Sequence, residues 1–278
     1  MGVRRKTICS PSLLIHANFR PRRVFVGGAT PMFTASEHPL SPLLKKLGSL
    51  TRLSDRDEQA ILHLPASPRV FAAGQDLVGE GDRPTRCWLI VEGWVQRYKV
   101  LDEGKRQISA FHVAGDMPDL QGLHLSVMDH NLGALTRVTA LSVPHEALRE
   151  LLLRIPELNA PFWRDTLVDA AIFREWVANV GRRPAYQRLA HLFCELYLKQ
   201  VAVGLARDGR CPMPVTQVDL ADATGLTSVH VNRTLRELRR DGLIELRGKR
   251  LEIPDWPRLV AAASFNPAYL HLASRPTA

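Results

Sequence analysis

Ser228, His230, Asn232, Arg233, Arg236 and Arg239 lie within twelve residues, and each carries a group able to hydrogen-bond a nucleic-acid base or phosphate. An arginine fork donates two parallel bonds to guanine O6 and N7, and an asparagine amide matches adenine N6 and N7. Val231, Leu235 and Leu238 interleave at helical spacing, so a helix here turns its apolar edge inward and holds the polar set outside. Just upstream, Thr216 and Asp219 form a capping pattern that opens a helix through Leu220, Ala221 and Thr224. Gly225 gives the backbone freedom for a tight turn, after which Thr227 or Ser228 caps the second helix. Residues 216–240 therefore read as a helix-turn-helix whose second helix suits a DNA major groove. An ordinary helical hairpin with a solvated charged face is the alternative. The in-register small, glycine and apolar positions weigh against it.

Asp241-Gly242 ends the second helix, and residues 243–253 read as two short strands around Gly248-Lys249. Such a wing puts Arg247, Lys249 and Arg250 at its tip. A basic hairpin alone is usually a solvated turn, but directly after a helix-turn-helix it suits phosphate contacts.

The charge distribution supports a nucleic-acid partner. The 278 residues carry a net charge of +9, unevenly spread. Residues 1–35 hold six basic residues and no acid. Residues 36–181 hold 16 basic and 19 acidic residues, and residues 182–278 hold 15 and 9. A basic C-terminal third behind a slightly acidic middle fits a DNA-binding module joined to something else. Cys9, Cys87, Cys194 and Cys211 are far apart and show no metal spacing, so neither a disulfide framework nor a zinc ribbon is expected, and the reading is cytoplasmic. No run reaches the length of a membrane span. Residues 1–35 read as a disordered basic arm with only a faint likeness to an export signal, and Met32 is an alternative start.

The elements that must position the reading head come before it. Gly81, Gly93, Gly104 and Gly115 recur every 11–12 residues, separating apolar, β-branched runs at 87–91, 94–100 and 108–113, with a closing strand pair over 134–143. Strands so spaced predict an antiparallel β-roll or jelly roll. Short helices over 40–64 precede it, with Ser54 as a cap. A short helix over 145–155 follows, and then a long one from Pro156 or Pro161 to Val180. On the long helix Trp163, Leu167, Ala170 and Val177 make one apolar stripe; Phe162, Phe173, Trp176 and Val180 make another. One stripe can rest on the roll, and the second needs a partner unless the helix is buried within one chain. Gly181-Arg182-Arg183-Pro184 reads as a hinge. The fold class is thus α+β. Its parts are an arm (1–35), a sensor-like roll (36–145), a dimerisation helix with hinge (146–181) and a winged helix-turn-helix domain (182–278).

In that order these parts resemble the Crp/Fnr family of bacterial transcription regulators over about residues 40–272. The resemblance is strongest in RRPAYQRLAHLFCEL, LADATGLTSVHVNRTLREL and GLIELRGKRLEI. It implies a homodimer that binds an inverted repeat in double-stranded DNA and acts on RNA polymerase. It also puts the recognition arginine on Arg233 and the preceding positions on Ser228, Val229 and Asn232. Many members have a glutamate where Val229 stands, so the usual half-site is not implied. Cyclic-AMP binders follow the Gly-Asp matching Gly115-Asp116 with Phe-Gly-Glu and an arginine. Here Met117-Pro118-Asp119-Leu120-Gln121-Gly122-Leu123 follows, with no arginine before Arg137, leaving a buried phosphodiester unpaired. Iron–sulfur members use an N-terminal cysteine cluster, and Cys9 stands alone. His112, His124 and His130 are scattered and read as surface or hydrogen-bonded groups. Cys87 and Cys194 read as inert core thiols, and Cys211, in a loop, as a redox handle. No cofactor, metal or enzymatic activity is expected. One competing reading is a small-molecule or redox sensor whose roll gates DNA binding. Another is a cupin-like metalloenzyme fused to a DNA module, which lacks the required His-x-His and Glu.

Overall fold

All four evenly spaced glycines take a positive φ, from +73° at Gly104 to +96° at Gly115. At Gly115 a Cβ would come within 2.7 Å of the Pro42 carbonyl, so only glycine lets this turn meet the first helix. The computed structural model describes residues 38–272. The arm read over 1–35, with Cys9 and Met32, lies outside the described residues.

The turns join β1 (Ser67–Phe71), β2 (Asp76–Val78), β3 (Arg86–Glu92), β4 (Val95–Val100), β5 (Arg106–His112), β6 (Asn131–Ala134) and β7 (Val138–Pro144). They form two antiparallel sheets, ordered β1-β7-β3 and β2-β6-β4-β5. Phe71, Trp88, Ile90, Val95, Leu132 and Val138 fill the space between them, with the Phe71 and Trp88 rings edge to face at 5.1 Å. The expected runs match β3, β4, β5 and β7; the closing pair expected over 134–143 is the single strand β7, because β6 ends at Ala134 and pairs in the other sheet, and β2 was not expected. The sequence reading missed β1 because four of its five residues are exposed, which leaves no apolar alternation to detect.

Ahead of the roll lie α1 (Ser41–Leu50) and α2 (Asp55–Leu62), the latter opened by the expected Ser54 cap in a capping box with Asp57. After it come α3 (His145–Arg154) and α4 (Asn159–Arg182). The stripe Trp163, Leu167, Ala170 and Val177 is exposed. The second expected stripe needs correction. Phe162 and Trp176 are buried in their own chain, Val180 is half-buried, and Phe173 is exposed beside the first stripe. At 3.6 residues per turn that second row straddles the border between the covered and uncovered arcs, so its members divide. The hinge is also shorter than expected. Helix α4 continues through Gly181 and Arg182, and the chain bends at Arg183-Pro184 before α5 (Ala185–Ala202). Arg188 donates to the Arg183 carbonyl at 2.8 Å, and Asn179 Nδ2 to the Arg188 carbonyl at 3.2 Å, which fixes the bend.

The C-terminal third holds β8 (Arg210–Pro212), α6 (Gln217–Thr224), α7 (Ser228–Arg240), β9 (Glu245–Arg247), β10 (Arg250–Glu252) and α8 (Trp256–Ala263). Its sheet runs β8-β10-β9. Strand β8 was not foreseen, although Asp208-Gly209 announces it: both residues have positive φ, as a two-residue hairpin turn requires. One apolar cluster joins Trp94, Phe111 and Val113 of the roll, Ile172 and Trp176 of α4, and Leu189 and Phe193 of α5 with the reading head. The head is therefore seated on the roll.

Candidate nucleic-acid interface

Helix α6 is opened by the expected capping box. Asp219 N–H donates to Thr216 Oγ1 at 3.2 Å, and Asp219 Oδ2 accepts from Thr216 N–H at 2.9 Å. The helix ends at Gly225 with φ +65°, an αL stop that suits glycine. Of the two candidate caps for α7, the structure uses Thr227, whose Oγ1 accepts from His230 N–H at 3.2 Å. Val231, Thr234, Leu235 and Leu238 are buried beneath α7. Its outer face is therefore set by geometry.

On that outer face Ser228, Val229, Arg233, Arg236 and Arg240 are exposed. Arg233 is held only by a 4.0 Å approach to Glu237, one turn on. The structure places the other expected residues at the edges. Asn232 is half-buried and donates to Gln217 Oε1 at 3.1 Å. His230 is half-buried on the far flank from Ser228 and Asn232. Arg239 reaches to 3.5 Å from the Leu246 carbonyl in the wing. Val229, placed among the recognition positions through the resemblance, is 81% exposed on this face near the start of α7. The sequence reading missed Arg240, which lies on the same arc at the end of the helix. Its position in the 3.6-residue period was the available signal.

The wing forms as expected. Gly248 and Lys249 take φ +57° and +62°, Arg247 pairs with Arg250 across the turn, and Arg247, Lys249 and Arg250 are all exposed. Strand β8 flanks β10, placing Cys211 opposite Leu251. This corrects the expectation of a reactive loop thiol. Cys211 is buried, and burial pushes its pKa up to about 12. A thiol so protonated is a poor nucleophile. Cys194 is raised to about 12 by burial and Cys87 well above its ordinary range, so these are the inert core thiols expected.

A second polar site fills the gap between the roll and α4. Arg97 of β4 donates to Asp169 of α4 at 2.7 Å and to the Pro118 carbonyl at 2.8 Å. Lys46 lies 2.8 Å from Asp116 and 3.6 Å from Asp165. Lys199 of α5 lies 3.6 Å from Asp116 and donates to the Phe111 carbonyl at 2.6 Å. Burial alone would raise Asp116, but Lys46, Lys199 and His112 outweigh it and hold the carboxyl well below its usual range. Burial pushes His112 down to about 4, against the pull of Asp116, so it is neutral near pH 7. Burial pushes Asp119 up to about 7 despite the Trp88 N–H on its Oδ1. The sequence reading overlooked Arg97. It looked for a cation after Asp116, whereas this one projects inward from a strand nineteen residues earlier. Among the described residues, no three His, Cys, Asp or Glu side chains converge as a metal site, and no helix is long and apolar enough to cross a membrane.

Residues 187–262 match the Crp-like helix-turn-helix domain family, and residues 68–154 match the cyclic nucleotide-binding domain family. The chain is 30% identical over 200 residues to the nitrogen fixation regulation protein FixK of Bradyrhizobium diazoefficiens, spanning 70% of this chain and 81% of that protein. It is 28% identical over 214 residues to the transcriptional activator protein FnrL of Cereibacter sphaeroides, spanning 75% and 85%. The solved structure of FixK2 from Bradyrhizobium japonicum superposes with a TM-score of 0.63 at 24% identity, covering 72% of this chain and 98% of that one. With both domain families matched in order and a relative 30% identical over 70% of this chain, the chain belongs to the Crp/Fnr family of DNA-binding transcription regulators.

Proposed function

We propose that the protein acts as a homodimer, reading an inverted repeat in double-stranded DNA with one α7 helix per half-site and meeting RNA polymerase as its protein partner. The observation that carries the two-fold reading is the uncovered row on α4: Trp163, Leu167, Phe173 and Val177 are 58%, 52%, 49% and 59% exposed. An apolar row of this kind, with one reading helix among the described residues, fits a second copy of the same helix. Residues 36–145 serve as the roll, 146–181 as the dimerisation helix and bend, and 182–278 as the DNA-binding domain. A DNA partner places its work in the cytoplasm.

Within the head, Arg233 and Arg236 read bases, Val229 packs against a thymine methyl, and Ser228 and Asn232 assist at the groove edge. Arg247, Lys249 and Arg250 hold phosphates. His230 and Arg239 act from the flanks, His230 beside the backbone and Arg239 by bracing the wing. Selection of bound sequences from random duplex DNA tests the proposal. The expected product is a two-fold symmetric motif with half-site centres roughly 34 Å apart. An asymmetric single motif would refute it.

Cyclic AMP is expected to leave DNA binding unchanged. Arg97 is a cation beside the segment that follows Asp116, and Asp169 and the Pro118 carbonyl already occupy it, while Lys46 and Lys199 are engaged by Asp116. Freeing Arg97 would leave the half-buried Asp169 without its ion-pair partner and the Pro118 carbonyl without its donor. Isothermal titration with cyclic AMP and cyclic GMP, beside operator binding with each, checks this. Micromolar affinity or a tenfold gain in operator binding would show that the ion pairs yield.

A further inference from the structure

Arg106 stands at the start of β5, on the hairpin that projects from the roll, yet its charge is satisfied by the DNA-binding head. Its Nη2 donates to Asp219 Oδ1 at 2.8 Å and its Nε to Asp222 Oδ2 at 2.8 Å, both on α6. The guanidinium carbon lies 5.9 Å from the centre of the Tyr98 ring. The Tyr98 hydroxyl is itself held by both oxygens of Asp76, at 2.9 and 3.0 Å. A chain of polar contacts thus runs from β2 through β4 and β5 into the first helix of the helix-turn-helix. Asp219 serves two purposes: Oδ2 caps α6, while Oδ1 receives Arg106. The head is also held through α5: Glu195 accepts from Trp176 Nε1 of α4 at 2.8 Å and from the Tyr269 hydroxyl at 2.7 Å, and Lys199 donates to the Phe111 carbonyl of the roll at 2.6 Å. Arg106 adds a charged link from the roll to α6, the helix that packs directly against α7.

We infer that Arg106 is a positioning residue for DNA recognition: it fixes the direction in which α7 points from the roll, and so the spacing at which two heads can read two half-sites. The inference rests on the two-fold reading above. A bidentate guanidinium suits this role because its planar fork fixes orientation as well as distance, which a lysine ammonium does not. The contact also neutralises two carboxylates on the helix that crosses the DNA backbone in this motif, where they would repel phosphates.

The test compares full-length wild type, Arg106→Gln, Asp222→Asn and the double variant on four duplexes. These are the selected operator, the operator with one base pair inserted between half-sites, the operator with one deleted, and a single half-site. Wild type is expected to favour the selected spacing at least tenfold. In both single variants that preference should fall to about twofold or less, with single half-site binding unchanged, and the double variant should be no worse than either single one. Retention of the full spacing preference by both single variants would overturn the inference. So would parallel losses on the single half-site, which mark a folding defect in the head instead of a lost direction. A wild type indifferent to spacing would overturn the two-fold reading itself, and this inference with it.

Discussion

Arg233→Ala is expected to weaken operator binding by about 1–3 kcal/mol per half-site, and to relax the preference at one base pair of each. That is roughly a 5- to 150-fold loss for each half. The magnitude follows from placement. Arg233 stands on the exposed face of α7 with Glu237 as an ion-pair partner at 4.0 Å, so its fork is available to a guanine edge at little internal cost. Lys249→Ala at the wing tip is expected to behave differently. It should weaken all sequences alike and lower the slope of log affinity against log salt by about one, because a phosphate contact carries no base information. Competition titrations with operator variants and random duplex at several salt concentrations separate the two. Equal losses on operator and random DNA for Arg233→Ala would remove it from the reading face.

Leu167→Glu is expected to convert the dimer into a folded monomer and to reduce operator binding at least 100-fold. Leu167 is half-exposed in the middle of the uncovered row. In a symmetric helix pair it meets its own row on the other copy, so each dimer loses the covering of two half-exposed leucines, at about 1 kcal/mol each, and gains two carboxylates without partners. Sedimentation should show the wild type as a dimer and the variant as a monomer, with unchanged circular dichroism. Leu153→Glu is the control, since Leu153 is 82% exposed on α3, outside the row, and should remain dimeric. A Leu167→Glu protein that stays dimeric at micromolar concentration would place the interface elsewhere.

Much of this architecture could be read before any coordinates, for identifiable reasons. Helix α7 was legible because Thr227, Gly225 and the Val231–Leu235–Leu238 spacing all report local physics, and the capping box at Thr216 is a four-residue signal. The roll's turns were legible because a positive φ selects glycine. What escaped the sequence reading depends on contacts between distant segments. Arg97 and Asp169 are 72 residues apart and Arg106 and Asp219 are 113 apart, and no periodicity within either segment points to the other. The second stripe on α4 failed for a related reason. Apolar type says that a side chain prefers cover, but only the packed roll decides which of Phe173 and Trp176 receives it. Cys211 was misplaced because the three-residue strand around it is too short to show alternation, although the Asp208-Gly209 turn beside it carried the signal.

The buried thiols have a use as timekeepers. Cys87 lies in β3 of the roll, Cys194 in α5 beneath the reading head, and Cys211 in the third strand of the wing sheet. Because burial keeps each protonated and out of reach, alkylation must wait for the surrounding segment to open. When reclosing is fast, the rate at each position measures the free energy of that local opening. The three positions therefore divide the molecule into three clocks. A wing that frays before α5 would label at Cys211 first and Cys194 later. A roll that opens only with the whole chain would label at Cys87 no faster than global unfolding allows. Whether DNA slows one clock or all three would show how far the grip of the reading head stiffens the rest of the protein.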